Sequence, residues 1–323
     1  MKFSVVIPCY NAERWIEQTL TSVLSQTLLP KEVFVIDDGS QDHSVSLVKT
    51  ISDRSSISIT LLHSNRQGPA EARNLGIDAA TGDWIAFLDA DDWWDSNHLE
   101  RIYTAVNTSQ DVLYLAAAQH FSINVNRVVS CSDTPFLDVT PSINHQTYFN
   151  LYQKHGLLEL SSSAVQRDHL LAVGSFNPAF RGAEDFEMVM RVVYNHTLVY
   201  DPVPSSYYRC SNPESHSQKF STQLDCLTAS FRALQSLQEH YAIPDALLSS
   251  QAKTLVSKSM MLHKSKREKV LQLTWSYLSP TNQLIFRAAS IFPPAYLWLN
   301  TVRNKLRGPQ YAPRQVVPQG NLD

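Results

Sequence analysis

The sequence predicts an α/β fold: a doubly wound, mostly parallel sheet, followed by a helical C-terminal extension. Three observations carry this. β-Branched apolar runs alternate with helix-period segments through the first hundred residues. Three of those runs end in polar or acidic turns. Beyond about Thr222 the pattern is helical almost throughout.

Taken in order, residues 3–8 form a β-branched run that reads as a buried strand. Asn11 is placed to cap a helix with Ile16, Leu20, Val23 and Leu24 on one face. Residues 33–36 make the second strand and are followed by the turn Asp37-Asp38-Gly39-Ser40. A short helix over 44–51 and a third strand over 57–62 come next. Gly68-Pro69 opens another helix, since proline needs no N–H partner at the first helical position. Gly82 is expected to close that helix as a left-handed cap. The fourth strand, 84–88, runs into Asp89-Ala90-Asp91-Asp92.

The middle is less regular. Residues 112–129 contribute strands, 130–146 read as a polar, proline-containing loop and a candidate lid, and 184–194 as a helix. The domain boundary is placed between 1–221 and 222–323.

Composition excludes several classes. With 43% apolar residues among 323, and only 9 Gly and 16 Pro, the chain can bury a large core and is not a disordered polymer. The apolar run at residues 5–7 is too short for a signal-peptide core, so a cytoplasmic location is expected. Cys9, Cys131, Cys210 and Cys226 form no CxxC pair, which argues against zinc and against a disulfide framework. A net charge of −3 gives no reason to expect nucleic acid as a partner. That charge is uneven: residues 253–307 hold ten Lys/Arg and a single acid, Glu268, giving +9 and leaving −12 elsewhere. The same stretch carries Trp275, Tyr277, Phe286, Phe292, Tyr296 and Trp298. Basic, aromatic helices can lie in the headgroup layer of an anionic bilayer, so peripheral membrane contact is one reading of this tail. Packing of the aromatics on protein is the other.

In an open α/β sheet, ligands bind outside the carboxyl ends of the strands. Those ends hold Pro8-Cys9-Tyr10-Asn11, Asp37-Asp38-Gly39-Ser40 and Asp89-Ala90-Asp91-Asp92. Each acidic turn alone is an ordinary turn or helix cap. Together they gather carboxylates whose repulsion calls for an offsetting cation. A hard divalent ion, Mg²⁺ or Mn²⁺, fits oxygen ligands and also bridges phosphates, so a diphosphate-bearing substrate is implied. Arg73 and the helix start at Pro69 are suited to phosphate, and Tyr10 to stacking on a base. Glu184-Asp185, after Gly182-Ala183, reads either as a helix-dipole partner or as a general base.

These stretches resemble glycosyltransferase family 2. The resemblance rests on residues 4–11, 35–40, 65–74 (Asn-Arg-Gln-Gly-Pro-Ala-Glu-Ala-Arg-Asn) and 87–92, in the family's order, and on Gly182-Ala183-Glu184-Asp185. It covers about residues 1–210 and implies a GT-A fold with inverting transfer from a nucleotide-sugar donor. Carried over residue by residue, Pro8 and Tyr10 line the nucleoside pocket with Asn11, and Asp38 accepts from the base, uracil in most relatives. Asp89, Ala90 and Asp91 form the Asp-x-Asp motif, with Asp89 near the ribose and Asp91 on the metal. Arg73 helps hold the diphosphate. Asp185 is the base, with Glu184 beside it. The donor part is then 1–110 and the acceptor and catalytic part 111–221.

The family's Gly-Gly-Phe reads Gly174-Ser175-Phe176 here, and the Gln/Arg-x-x-Arg-Trp motif of processive relatives is missing. Transfer of a single sugar to a saccharide or lipid-linked acceptor is therefore expected. His216 reads as a surface histidine. Two rivals stay open. A nucleotidyltransferase would usually carry a Gly-rich, basic loop where Pro8-Cys9-Tyr10-Asn11-Ala12 stands, and a non-catalytic sugar-nucleotide-binding protein would not need Asp185.

Overall fold

The structure is a computed structural model. It describes residues 1–107, 109–122, 127–131, 142–148, 160–210, 223–259 and 264–291. The chain divides into two compact units, Met1–Ser221 and Thr222–Asp323.

In the first unit, β1 (Phe3–Cys9), α1 (Ile16–Leu24), β2 (Glu32–Asp37), α2 (Ser44–Ser52), β3 (Ser58–His63), α3 (Pro69–Ala79) and β4 (Trp84–Phe87) alternate as expected. β3, β2, β1 and β4 lie side by side in that order and are parallel throughout. The order reverses at β1, and right-handed crossovers then put α1 and α2 on one face and α3 on the other. The side chains agree. Ile16, Leu20, Val23 and Val48 join Phe3, Val5, Ile7, Val33 and Val35 in one buried cluster. α3 instead presses on Val6 and Ile36, so closely that a Cβ on Gly76 would lie 2.7 Å from Ile36 and 2.8 Å from Val6.

Beyond β4 the sheet is mixed. β5 (Trp93–Trp94) precedes α4 (His98–Val106), and β6 (Leu113–Ser122), β7 (Arg127–Cys131) and β8 (Ser142–Asn144) follow. β9 (Ser163–Gln166) leads into α5 (Arg167–Ala172), then α6 (Glu184–Val193) and β10 (Thr197–Cys210). β9 slots antiparallel between β4 and β6, and β10 runs parallel to β6. The second unit holds four described helices, α7 (Gln223–Gln238), α8 (Asp245–Ser259), α9 (Lys264–Thr274) and α10 (Pro280–Ile291).

Three local expectations need correction. Asn11 does not cap α1, whose N-cap is Trp15. Its backbone turns left-handed at φ 48°, and its Oδ1 accepts from Gln41 N–H at 2.9 Å. Gly82 is no left-handed cap: α3 ends at Ala80 in an extended conformation. Glycine is required there because a Cβ would sit 2.6 Å from Ser4 Oγ and 2.7 Å from Ser4 N. The proposed lid is in part strand, since β7 and β8 occupy both its flanks. Residues 132–141 and His216 lie outside the described residues.

Among the described residues no helix is long and apolar enough to cross a membrane. The described tail aromatics are engaged within the second unit. Phe286 is buried, Tyr277 packs edge-on against Phe231 at 5.3 Å, and Arg287 lies over Trp275 at 4.9 Å.

Candidate active site

Three loops meet at the carboxyl ends of β1, β2 and β4. Asp38 N–H donates to Cys9 O at 2.8 Å, and Asn11 N–H donates to Ser40 Oγ at 2.9 Å, so the β1 and β2 ends are tied. Tyr10 is 43% exposed beside half-buried Pro8. Asp37 is buried and folds its own turn, accepting from Gly39 N–H at 3.2 Å and Ser40 N–H at 3.1 Å.

Asp38 does more than the sequence suggested. One carboxylate oxygen accepts from Gln67 N–H at 3.0 Å and from the Ser64 hydroxyl. The other accepts from Gly68 N–H at 3.0 Å. It thereby pins the 64–68 segment, whose Gly68 (φ 97°) opens α3.

The Asp89–Asp92 loop is held from three sides. The Thr19 hydroxyl, on α1, lies 2.9 Å from Ala90 O and 2.7 Å from Asp92 O. Ser161 Oγ accepts from Asp89 N–H at 3.1 Å and donates to Asp92 at 2.6 Å. Arg209 N–H donates to Asp92 at 2.8 Å. Asp92 is 1% exposed, and burial, followed by the charges of Asp91 and Asp89, raises its pKa well above the ordinary aspartate range. Asp91 keeps a half-buried side chain.

Arg73 joins this loop to the second acidic cluster. Its guanidinium is buried, donates to Asp89 at 2.7 Å, lies 3.9 Å from Glu184, and sits over the Phe176 ring at 5.4 Å. The side chain is thus committed to carboxylates. Burial opposes its charge, but Asp89 and Glu184 outweigh that and raise its pKa. Glu184 also accepts from Gly182 N–H at 2.5 Å. Asp185 is half-buried at the start of α6, and burial, then the adjacent Glu184, pushes its pKa up to about 6. The two motifs are therefore one electrostatic unit.

Asn74 adds a second clasp. Its side chain donates to Phe176 O and accepts from Phe176 N–H, both at 2.9 Å. Just before Phe176, Ser175 takes φ 52°, a left-handed conformation that costs a non-glycine residue about 1–2 kcal/mol. Glycine adopts this conformation without that cost. Ser175→Gly is expected to stabilise the protein by up to about 1 kcal/mol after glycine's extra unfolded-state entropy, a rise of a few degrees in Tm by calorimetry.

Among the described residues no group of three or more His, Cys, Asp or Glu is arranged to hold a metal. Asp89 is already paired with Arg73. Among the described residues this leaves Asp91, with Asp89, as the carboxylates of that loop. Such a donor set suits Mg²⁺ or Mn²⁺ completing its shell with water and phosphate oxygens, not an all-protein cage.

The strand order and the acidic strand ends fit a GT-A architecture. The sequence profile described as glycosyl transferase family 2 matches residues 4–170. The chain belongs to that family.

An uncharacterised glycosyltransferase of Nostoc is 39% identical over 112 residues, 35% of this chain and 35% of its own length. The poly(ribitol-phosphate) β-N-acetylglucosaminyltransferase TarS of Staphylococcus aureus is 26% identical over 219 residues, 66% of this chain and 36% of its own. The chain thus spans only about a third of the length of these relatives. The structure of TarS 1-349 with UDP-GlcNAc superposes with a TM-score of 0.62 at 20% identity, covering 82% of this chain and 74% of that one. The mannosyltransferase PcManGT of Pyrobaculum calidifontis, solved with GDP-Man and Mn²⁺, gives 0.55 at 14% identity, covering 90% and 87%.

Proposed function

We propose that the chain transfers one sugar from a nucleotide-sugar donor, a UDP-sugar, to a saccharide or lipid-linked acceptor with inversion. One observation carries the reading: Arg73 links Asp89 to Glu184, which sets Asp185, a carboxylate with a raised pKa, beside the donor loop. The donor complex of TarS supports uridine as the base, and the Mn²⁺ complex of PcManGT supports a divalent ion.

In this reading Pro8, Tyr10 and Asn11 receive the nucleoside, Asp38 holds the 64–68 wall and faces the base, and Ala90 lines the donor site between Asp89 and Asp91. Arg73 keeps Asp89 oriented toward the ribose while compensating the acidic cluster near the diphosphate. Asp91, with Asp89 beside it, would hold the divalent ion, which when bound supplies charge neutralisation on the diphosphate. Asp185 takes the proton from the acceptor hydroxyl as its oxygen bonds to the anomeric carbon. The bond from that carbon to the diphosphate breaks and the nucleoside diphosphate leaves. One displacement on one face inverts the configuration. Residues 1–110 form the donor half and 111–221 the acceptor and catalytic half.

The test is release of free UDP from a panel of UDP-sugars with Mn²⁺. Release that depends on added acceptor supports the reading, and binding without release in any combination points to a non-catalytic binder.

The reading extends to peripheral membrane contact by the C-terminal unit. There Lys266 and Lys269 are exposed on α9, and Leu284 is 71% exposed on α10. Flotation with anionic vesicles at low salt is expected. Absence of the protein from the floated fraction rejects the contact.

A further inference from the structure

Arg209 lies 24 residues beyond Asp185, outside every motif considered above. It sits near the end of β10, opposite Phe121 of β6, two residues after Tyr207, which pairs with Trp93 of β5. The side chain is buried and turns into the body of the protein. Its Nε–H donates to Asp91 O at 2.7 Å, and its Nη2 donates to Gln18 Oε1 at 2.7 Å. The guanidinium carbon lies 4.1 Å from the Trp15 ring centroid, 4.5 Å from that of Trp93 and 5.7 Å from that of Phe121. Trp93 is itself stacked on Tyr207 at 4.8 Å, with the planes 4° apart.

This is an aromatic cage around a cation whose two directed bonds hold the backbone behind Asp91 and the exposed end of α1. Its main-chain N–H bonds Asp92 in addition. A planar guanidinium is suited to the position, because it stacks on indole faces while its N–H groups stay aimed in the plane. A lysine keeps the charge but loses the fork and the stacking.

We infer that Arg209 is a positioning residue: it locks the Asp89–Asp92 loop so that Asp91 is presented in the geometry the donor diphosphate and its divalent ion require. It touches neither ligand. The inference rests on the donor-site reading above, and its test separates the two. Binding of UDP with Mn²⁺ and of uridine alone is measured by calorimetry for the wild type and Arg209→Lys. Amide hydrogen exchange is followed over residues 88–95 and, as reference, over 3–9.

The lysine variant is expected to bind Mn²⁺·UDP about tenfold more weakly, the scale of one lost charge-assisted hydrogen bond. Uridine affinity stays unchanged, and exchange accelerates over 88–95 but not over 3–9. Equal weakening of UDP and uridine, or unchanged values for both, overturns the inference. If the lysine variant does not fold, Gln18→Leu at an exposed position replaces it. Faster exchange over 88–95 alone is again expected, and wild-type exchange overturns the lock. If wild-type protein binds neither UDP nor uridine, the donor-site reading has failed. The exchange comparison then decides the lock by itself.

Discussion

Asp185→Asn is expected to lose turnover by on the order of a hundredfold or more, the usual contribution of a positioned base, while donor and metal affinity stay near wild type. Asparagine keeps the shape and the bond from Phe186 N–H, 2.7 Å in the structure, but has no proton affinity. The pH profile carries a second signature. Burial and Glu184 lift the Asp185 pKa to about 6. In wild-type protein kcat/KM therefore rises as pH climbs through that value and Asp185 ionises.

Stability moves the opposite way. The unfolded chain gives up this proton near the ordinary pKa of 3.8, the folded chain only near 6. Between those values the folded state binds more protons, so rising pH costs stability. At pH 8 the Asn variant is relieved of that cost, about 1–2 kcal/mol after discounting for partial exposure, and unfolds at a higher temperature by calorimetry. A less active but more stable variant is hard to explain by misfolding. Glu184→Gln is the counter-test. Glu184 holds Gly182 N–H and neighbours Arg73, so its loss is expected to disturb the site's geometry. Should Glu184→Gln be inactive and Asp185→Asn fully active, the base is Glu184.

Asp91→Asn is expected to lose binding as well as turnover. A metal bridge to a diphosphate is worth several kcal/mol in the transition state, so turnover falls by on the order of a hundredfold or more. Donor Kd in Mn²⁺ rises by about tenfold, measured by calorimetry. The fold should not suffer, because the charge of Asp91 is one of those raising the Asp92 pKa and its removal eases that repulsion. Excess EDTA should reproduce the loss in wild-type protein. Full activity in EDTA would sink the metal assignment.

In the parallel half, β1, β2 and β4 were readable because they are buried on both faces and carry dense apolar runs. β5 and β9 were not: two and four residues give no periodic signal, and their place in the sheet is set by partners far away in sequence. The acidic clusters announced themselves by composition, but their organisers did not. Thr19, Ser161 and Arg209 are single residues with no pattern around them, and only tertiary structure brings them to the Asp89–Asp92 loop. Arg73 was visible as a cation, yet its burial between two carboxylates was not. Asn11 and Gly82 show local chemistry overruled: each is a plausible cap, and each is used instead where two chain segments touch.

The antiparallel insertion of β9 has a consequence for how the molecule comes together. β4 borders β1 on one side, and on the other only β9, about eighty residues later in the chain. Until that segment arrives, β4 is an open edge able to recruit the wrong strand. Residues 1–110 emerging alone would also leave Arg73 without Glu184 and Asn74 without Phe176. Residues 1–110 by themselves are then a sticky fragment rather than a module. Assembly must wait for long-range closure, the slow step in folds dominated by distant pairings.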